Sequence, residues 1–236
     1  MEASGNRIEA GRVIGEAFET YQSQAGALLG GALIVIGIAA VINGLLAVSG
    51  SLVLVLLGAM IAFAASFLYT GYVVKLVQDV RDGRRDNSVG ELFSAAAPYI
   101  GTLILNGILA GLAIAIGFVL LIVPGLILLT IWAVIAPSIV VEDQGVFGAF
   151  GRSRELVRGN GWSVFGAIVI AFLIVFAVSL IAGLIGAALG DAGRVILQAV
   201  ANVLTAPVAA LVSSILFFDL GGGGVRPAVD PAAPAA

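Results

Sequence analysis

The chain has 236 residues, 61% of them hydrophobic and only 11% charged. A soluble domain carries about 25% charged residues, so a water-dissolved globule is excluded and an integral membrane protein is expected. Cys and His are absent, which removes disulfides, thiolate nucleophiles, imidazole bases and the usual transition-metal ligands.

Residues 1–24 come first. Ala10, Val13, Ile14, Ala17, Phe18 and Tyr21 follow i, i+3, i+4, i+7 spacing, with Glu9, Arg12, Glu16 and Glu19 on the opposite face. The pattern predicts an amphipathic helix, lying in the membrane interface or packed on protein. No signal peptide is evident. The first long apolar run starts near Gly26 and is long enough to stay as a span.

Crossing the hydrocarbon core takes roughly 20 apolar residues. Six runs qualify, at about 26–48, 52–75, 99–122, 125–141, 162–189 and 195–218. Each should be a helix, because backbone amides cannot stay unpaired in lipid. Pro137 lies in the second half of the fourth run and Pro207 inside the sixth. Both are expected to bend their helices.

Three connections are short: Ser49-Gly50-Ser51, Val123-Pro124-Gly125 and Gly190-Asp191-Ala192-Gly193. Pro124 and Gly125 suggest a tight turn. Of the eleven basic residues, only Arg194 falls by these loops. The other ten lie on the opposite side, and the positive-inside rule then places both termini in the cytoplasm. Three amphipathic openings recur at Ile14–Phe18, Val89–Phe93 and Val146–Phe150, each ahead of two spans. The chain thus reads as a threefold repeat of interfacial helix plus hairpin. Three regions follow: a cytoplasmic amphipathic helix (1–24), a six-span domain (25–220) and a Gly-, Pro- and Ala-rich tail (221–236) expected to be disordered.

Polar residues within the spans are few. Asn43, Asn106 and Asn202 are expected to hydrogen-bond between helices, with solute coordination as the alternative. Gly26/Gly30, Gly107/Gly111 and Gly186/Gly190 have GxxxG spacing, which suits close helix packing. No ionisable residue sits deep in a span, which argues against proton-coupled transport. Asp79, Asp82 and Asp86 cluster with Arg81, Arg84 and Arg85. That alternation is usual for a solvated loop, and a metal-assisted lipid enzyme is the remote alternative. No GxSxG is present, so a serine hydrolase has neither nucleophile elbow nor base.

The stretch from Glu142 to Trp162 is the most charged part of the second half. Val146, Ala149, Phe150, Ser153 and Val157 share one helical face, with Arg152, Glu155 and Arg158 opposite and Arg154 at the edge. Gly159-Asn160-Gly161 should end that helix, and Trp162 should mark the membrane interface. Glu142 or Asp143 is placed to pair with Arg152 or Arg154 and pin the helix to the bundle.

Pro124, Gly125, Pro137, Glu142, Arg152, Ser153, Leu156, Gly159 and Trp162 together resemble the membrane domain of glycerophosphoryl diester phosphodiesterases. The resemblance is sharpest over residues 123–165. It implies a membrane module without the separate catalytic barrel, so phosphodiesterase activity is not carried over.

The expected fold is therefore all-α, a polytopic bundle of six transmembrane helices with three interfacial helices. The expected role is a non-catalytic scaffold or accessory module of the inner (plasma) membrane. The alternative is a passive transporter or channel for a small or lipid-derived solute. Anionic lipid head groups at the cytoplasmic face are the expected partners. No nucleic acid, cofactor or metal is expected.

Overall fold

The computed structural model describes residues 8–48, 50–83 and 88–223. Among these residues every regular element is helical: α1 (Ala10–Ser23), α2 (Ala25–Ala32), a π turn (Leu33–Gly37), α3 (Ile38–Val48) and α4 (Leu52–Arg81). Then come α5 (Val89–Ala96), a 3-10 turn (Ala97–Tyr99), α6 (Ile100–Leu120), α7 (Ile122–Ile131) and α8 (Ile135–Glu142). The last are α9 (Val146–Val157), α10 (Gly161–Ala188) and α11 (Gly190–Asp219). Six helical stretches are long and apolar enough to cross a membrane: Ala25–Leu46, Leu52–Arg81, Val89–Leu120, Ile122–Glu142, Gly161–Ala188 and Gly193–Asp219. The architecture is a polytopic helical bundle. The short helices α1, α5 and α9 each precede a hairpin of two spans.

Apolar side chains do not drive such helices together as they would in water, because lipid tails are equally apolar; close packing and hydrogen bonds do. The outward face accordingly stays apolar, with Leu45, Leu52, Val119 and Leu184 exposed. The centre belongs to α8. Ile135, Pro137, Ser138, Ile139 and Val140 are all buried, the all-round burial of a core helix. A second, larger core joins α1, α4, α10 and α11 around Tyr69, Tyr72, Leu211, Ile215 and Phe217.

α1 packs by Val13 and Ala17 against protein, mainly α10 and α11, while Phe18 points outward and is 63% exposed. Its apolar face is thus partly covered by protein and partly left open. The helix α5 starts on a capping box, in which Ser88 and Glu91 each bond the other's backbone N–H, satisfying two orphan donors.

Several expectations need correction. The turn between spans three and four is not at Val123-Pro124-Gly125. A single extended residue, Leu121 (φ −163°, ψ 145°), makes it. Pro124 sits in the first turn of α7, where its missing N–H has no helical partner to lose. Gly125 serves packing: a Cβ there would lie 2.6 Å from the Phe118 ring, and one on Gly117 would lie 3.0 Å from the Gly125 backbone. The interruption expected from Pro137 falls one turn ahead of it, at Trp132–Val134, where the helix stops outright, while α11 stays helical through Pro207. Ser49, Arg84, Arg85 and Asp86 lie outside the described residues. The tail expected to be disordered from Gly221 onward begins with a folded turn. Gly222 N–H donates to the Phe217 carbonyl at 2.8 Å, and Gly221 and Gly223 take positive φ. Residues 224–236 of that tail lie outside the described residues.

The GxxxG pairs do not act as pairs. Around Gly26, Gly30 and Gly111 a Cβ would meet open space, while one on Gly107 would strike the Phe67 ring. On Gly186 it would lie 2.7 Å from Arg194 Cα, and on Gly183, one turn away, it would meet nothing. Gly186→Ala should therefore destabilise the α10–α11 hairpin by about 1–3 kcal/mol, because backbone cannot step aside. Gly183→Ala should be neutral or slightly stabilising. Thermal unfolding of the two variants in detergent checks this; equal midpoints would contradict it.

Candidate functional site

Where span four breaks, α7 ends at Ile131 and α8 begins at Ile135, leaving backbone groups without helical partners. Pro137 supplies no N–H for the Ala133 carbonyl. Buried this way, each such group needs another partner. Two serines provide it. Ser153 of α9, fully buried, donates to the Ile131 carbonyl at 2.9 Å and accepts from Val134 N–H at 3.3 Å. Ser213 of α11 donates to the Ala133 carbonyl at 2.7 Å. The Val134 carbonyl accepts the Ser138 N–H at 3.2 Å, and the Ser138 hydroxyl adds a second bond to it at 2.8 Å.

Other side chains also reach carbonyls across helices. Tyr21 of α1 donates to the Leu204 carbonyl of α11 at 3.0 Å. Burial pushes that phenol's pKa up, which keeps the hydroxyl a donor. Tyr69 and Tyr72 of α4 donate to the carbonyls of Leu28 and Ala27 at 2.9 and 2.7 Å, one turn ahead of the π turn.

α9 is fixed at three further points. Asn106 of α6, 1% exposed, donates through Nδ2 to the Val146 carbonyl at 2.7 Å. Its Oδ1 is buried without a partner. Leu156, with Ala149 and Val157, is buried in the bundle. Glu142 grips Arg152 with both oxygens, Oε2 to Nε at 2.6 Å and Oε1 to Nη2 at 2.8 Å. Such a fork is the strong geometry for this pair, and hydrogen bonding to Glu142 pushes the Arg152 pKa upward. Glu155 joins Arg152 at 3.2 Å, and Gly223 N–H donates to Glu142 at 3.1 Å. The pairing expected of Glu142 and Arg152 is thus present. Arg154 and Arg158 form no ion pair among the described residues and face outward. Gly159, at φ +91°, ends α9. Trp162 is 88% exposed at the start of α10.

The other two asparagines behave differently. Asn43 packs against Gly58 of α4. Asn202 is exposed and accepts only from Gln198 on its own helix, at 3.4 Å. The expectation of three interhelical contacts is therefore corrected to one hydrogen bond, from Asn106. The tyrosines, Ser213 and the two-way role of Ser153 were missed in the sequence.

A second charge cluster ties the ends of three elements. Arg12 of α1 and Arg81 at the end of α4 both bind Asp219, at 2.8 and 3.1 Å, and both pair with Glu16. Asp219 is four residues from Gly223, so this cluster and the Glu142–Arg152 pair occupy one end of the bundle. Arg194 stands near the other end of α11, roughly 37 Å away at 1.5 Å per residue. Asp79 and Asp82 line a recess of about 200 Å³ with Lys75, Gln78 and Glu91. Among the described residues, no three acidic groups gather as a metal site.

A model of the uncharacterised protein family UPF0259 matches residues 49–210. A UPF0259 membrane protein of Pectobacterium carotovorum is 32% identical over 150 residues, covering 63% of this chain and 59% of the relative. The match thus spans less than two thirds of that relative's length. No solved structure matches the chain. With six apolar helices, these findings make the chain a multi-pass membrane protein. They also overturn the resemblance to glycerophosphoryl diester phosphodiesterase membrane domains, whose residues fall within the UPF0259 match. Those residues have structural jobs here: Pro124 opens a helix, Gly125 fits against Phe118, Ser153 bridges the break and Arg152 holds Glu142.

Ser153→Ala should cost about 1–3 kcal/mol, since it leaves a buried carbonyl and N–H unpaired. Asn202→Ala should leave stability unchanged. Thermal unfolding in detergent separates the two, and an equal response would refute the bridging role. A double-mutant cycle on Glu142→Gln and Arg152→Gln should give a coupling within about 0.5–3 kcal/mol; additive effects would show the pair to be idle.

Proposed function

The chain belongs to the uncharacterised protein family UPF0259, and from that premise we propose that it is a non-catalytic scaffold or accessory module of the inner membrane. Both termini and the charged end face the cytoplasm. The observation that carries this reading is where the polar side chains of the spans go. Ser138, Ser153, Ser213, Tyr69 and Tyr72 all bond backbone carbonyls, and two grooves flanking α10 and α11 are lined almost wholly by apolar side chains. A solute path would instead direct such groups into a wet cavity. The clustering of Arg12, Arg81 and Arg152 at one end supports the cytoplasmic orientation through the positive-inside rule.

Two experiments test the proposal. Purified protein in liposomes should show no saturable uptake of small polar or lipid-derived solutes; saturable flux would favour a passive transporter. Reporter fusions after Arg85 and Arg226 should read as cytoplasmic and one after Ser49 as extracytoplasmic. An extracytoplasmic signal at Arg85 would invert the orientation.

A further inference from the structure

The helix α9 carries Arg152, Arg154, Glu155 and Arg158. Arg152 is neutralised by Glu142, and it also holds Glu155. Arg154, Arg158 and Glu155 line a cleft of about 590 Å³ with Gly151, Val157, Gly159, Gly161 and Ile131. Because Arg152 offsets only one of its two carboxylates, these three arginines and two glutamates keep one net positive charge. Arg154 and Arg158 stand four residues apart, neighbours on one helix face. A Cβ on any of the three glycines would meet open space, so the cleft is open beside them. The exposed Trp162 beside it marks head-group depth.

A second hollow, of about 370 Å³, lies farther along α10. Leu129 and Ala133 of span four, Ile168, Phe172 and Val175 of α10, and Ala209 of α11 line it. Gly161 in the cleft and Ile168 in the groove are seven residues apart, on the same stripe of α10 and roughly 10 Å from each other along the axis. The basic cleft and the apolar groove therefore follow one another from head-group depth into the hydrocarbon.

We propose that cleft and groove form one binding site for an anionic phospholipid, with its phosphate between Arg154 and Arg158 and one acyl chain in the groove. Charge complementarity selects the occupant: two arginines that form no ion pair among the described residues outnumber the single Glu155 of the cleft and favour an anion, and the groove behind them favours a hydrocarbon chain. A soluble phosphate would use only the first half. The proposal rests on the membrane-embedded reading but is independent of whether solute crosses.

The test is native mass spectrometry of the full chain in detergent, titrated with phosphatidylglycerol, with phosphatidylcholine of the same chains, and with inorganic phosphate. Phosphatidylglycerol should be retained in preference to phosphatidylcholine. Arg154→Gln and Arg158→Gln should each weaken it about fivefold, and Arg194→Gln, at the opposite end, should not. Ala209→Trp should plug the groove and weaken phosphatidylglycerol while leaving the unfolding midpoint in place. Equal binding of the two lipids, or a preference that survives loss of both arginines, would reduce the site to ordinary boundary lipid and overturn the proposal. Competition by inorganic phosphate at the lipid's own concentration would overturn it in favour of a soluble anion. Liposome flux is read separately, so failure here leaves the scaffold reading standing.

Discussion

A carbonyl that loses its helical partner inside a membrane protein has no bulk water to fall back on. That constraint governs this molecule more than any apolar contact. Span four is broken at its middle, and the break is survivable only because Ser153 and Ser213 reach it from two other helices. Ser153 belongs to the surface helix α9, so mending the break also anchors that helix. The Glu142–Arg152 fork, the Asn106 bond and the buried Leu156 then hold α9 at one angle. The direction in which Arg154 and Arg158 point is a consequence of a backbone requirement in another helix.

Charge is arranged by the same economy. Arg12, Glu16, Arg81 and Asp219 close on one another, drawing α1, α4 and α11 together. Exposed pairs contribute little singly, but a network around a carboxylate that is only 7% exposed is better shielded from solvent. The Glu142 cluster, joined through Gly223, sits beside it at the end of α11. One end of the bundle thus carries two interlocked ion clusters, and the opposite hairpins meet at Leu121 and Gly190 with little charge. The polar end is braced, and the apolar end is held by glycine contacts at Gly117, Gly125 and Gly186.

Hydropathy made the six spans, the short helices and the Glu142–Arg152 pair legible, because length, period and local charge are properties of contiguous residues. Pro137 signalled an interruption of the fourth span, since it withholds an N–H from the Ala133 carbonyl one turn back, but not that the helix would stop outright over Trp132–Val134. Nor did hydropathy reveal Ser153's task, whose partners at Ile131 and Val134 lie about twenty residues upstream in sequence. Ser153 was read as one more small residue on an apolar face, and nothing local distinguishes it from Ser163. Tyr69 and Tyr72 escaped notice for the same reason: their acceptors are on another span. Asn43 and Asn202 stood out by polarity alone, and polarity does not say whether a neighbour is within reach. The misleading family resemblance has a similar origin. A short basic helix that ends on glycine and enters a span at Trp answers common interfacial demands, so its pattern is weak evidence of descent.

The threefold rhythm of short helix and hairpin gives three units with one layout and three different uses of it. α1 lies against α10 and α11 and reaches the Leu204 carbonyl through Tyr21. α5 is capped by Ser88 and runs through a 3-10 turn straight into its span. α9 alone inserts a side chain into a break in another unit's span. That insertion requires span four to be open at the level where α9 passes, so the break and the helix are two halves of one feature. Closing the break would leave Ser153 buried without partners, and removing Ser153 would leave the break unmet. The part of the molecule that departs from the repeat is therefore the part where the second and third units are locked together. The unpaired arginines and the apolar groove lie along that same junction.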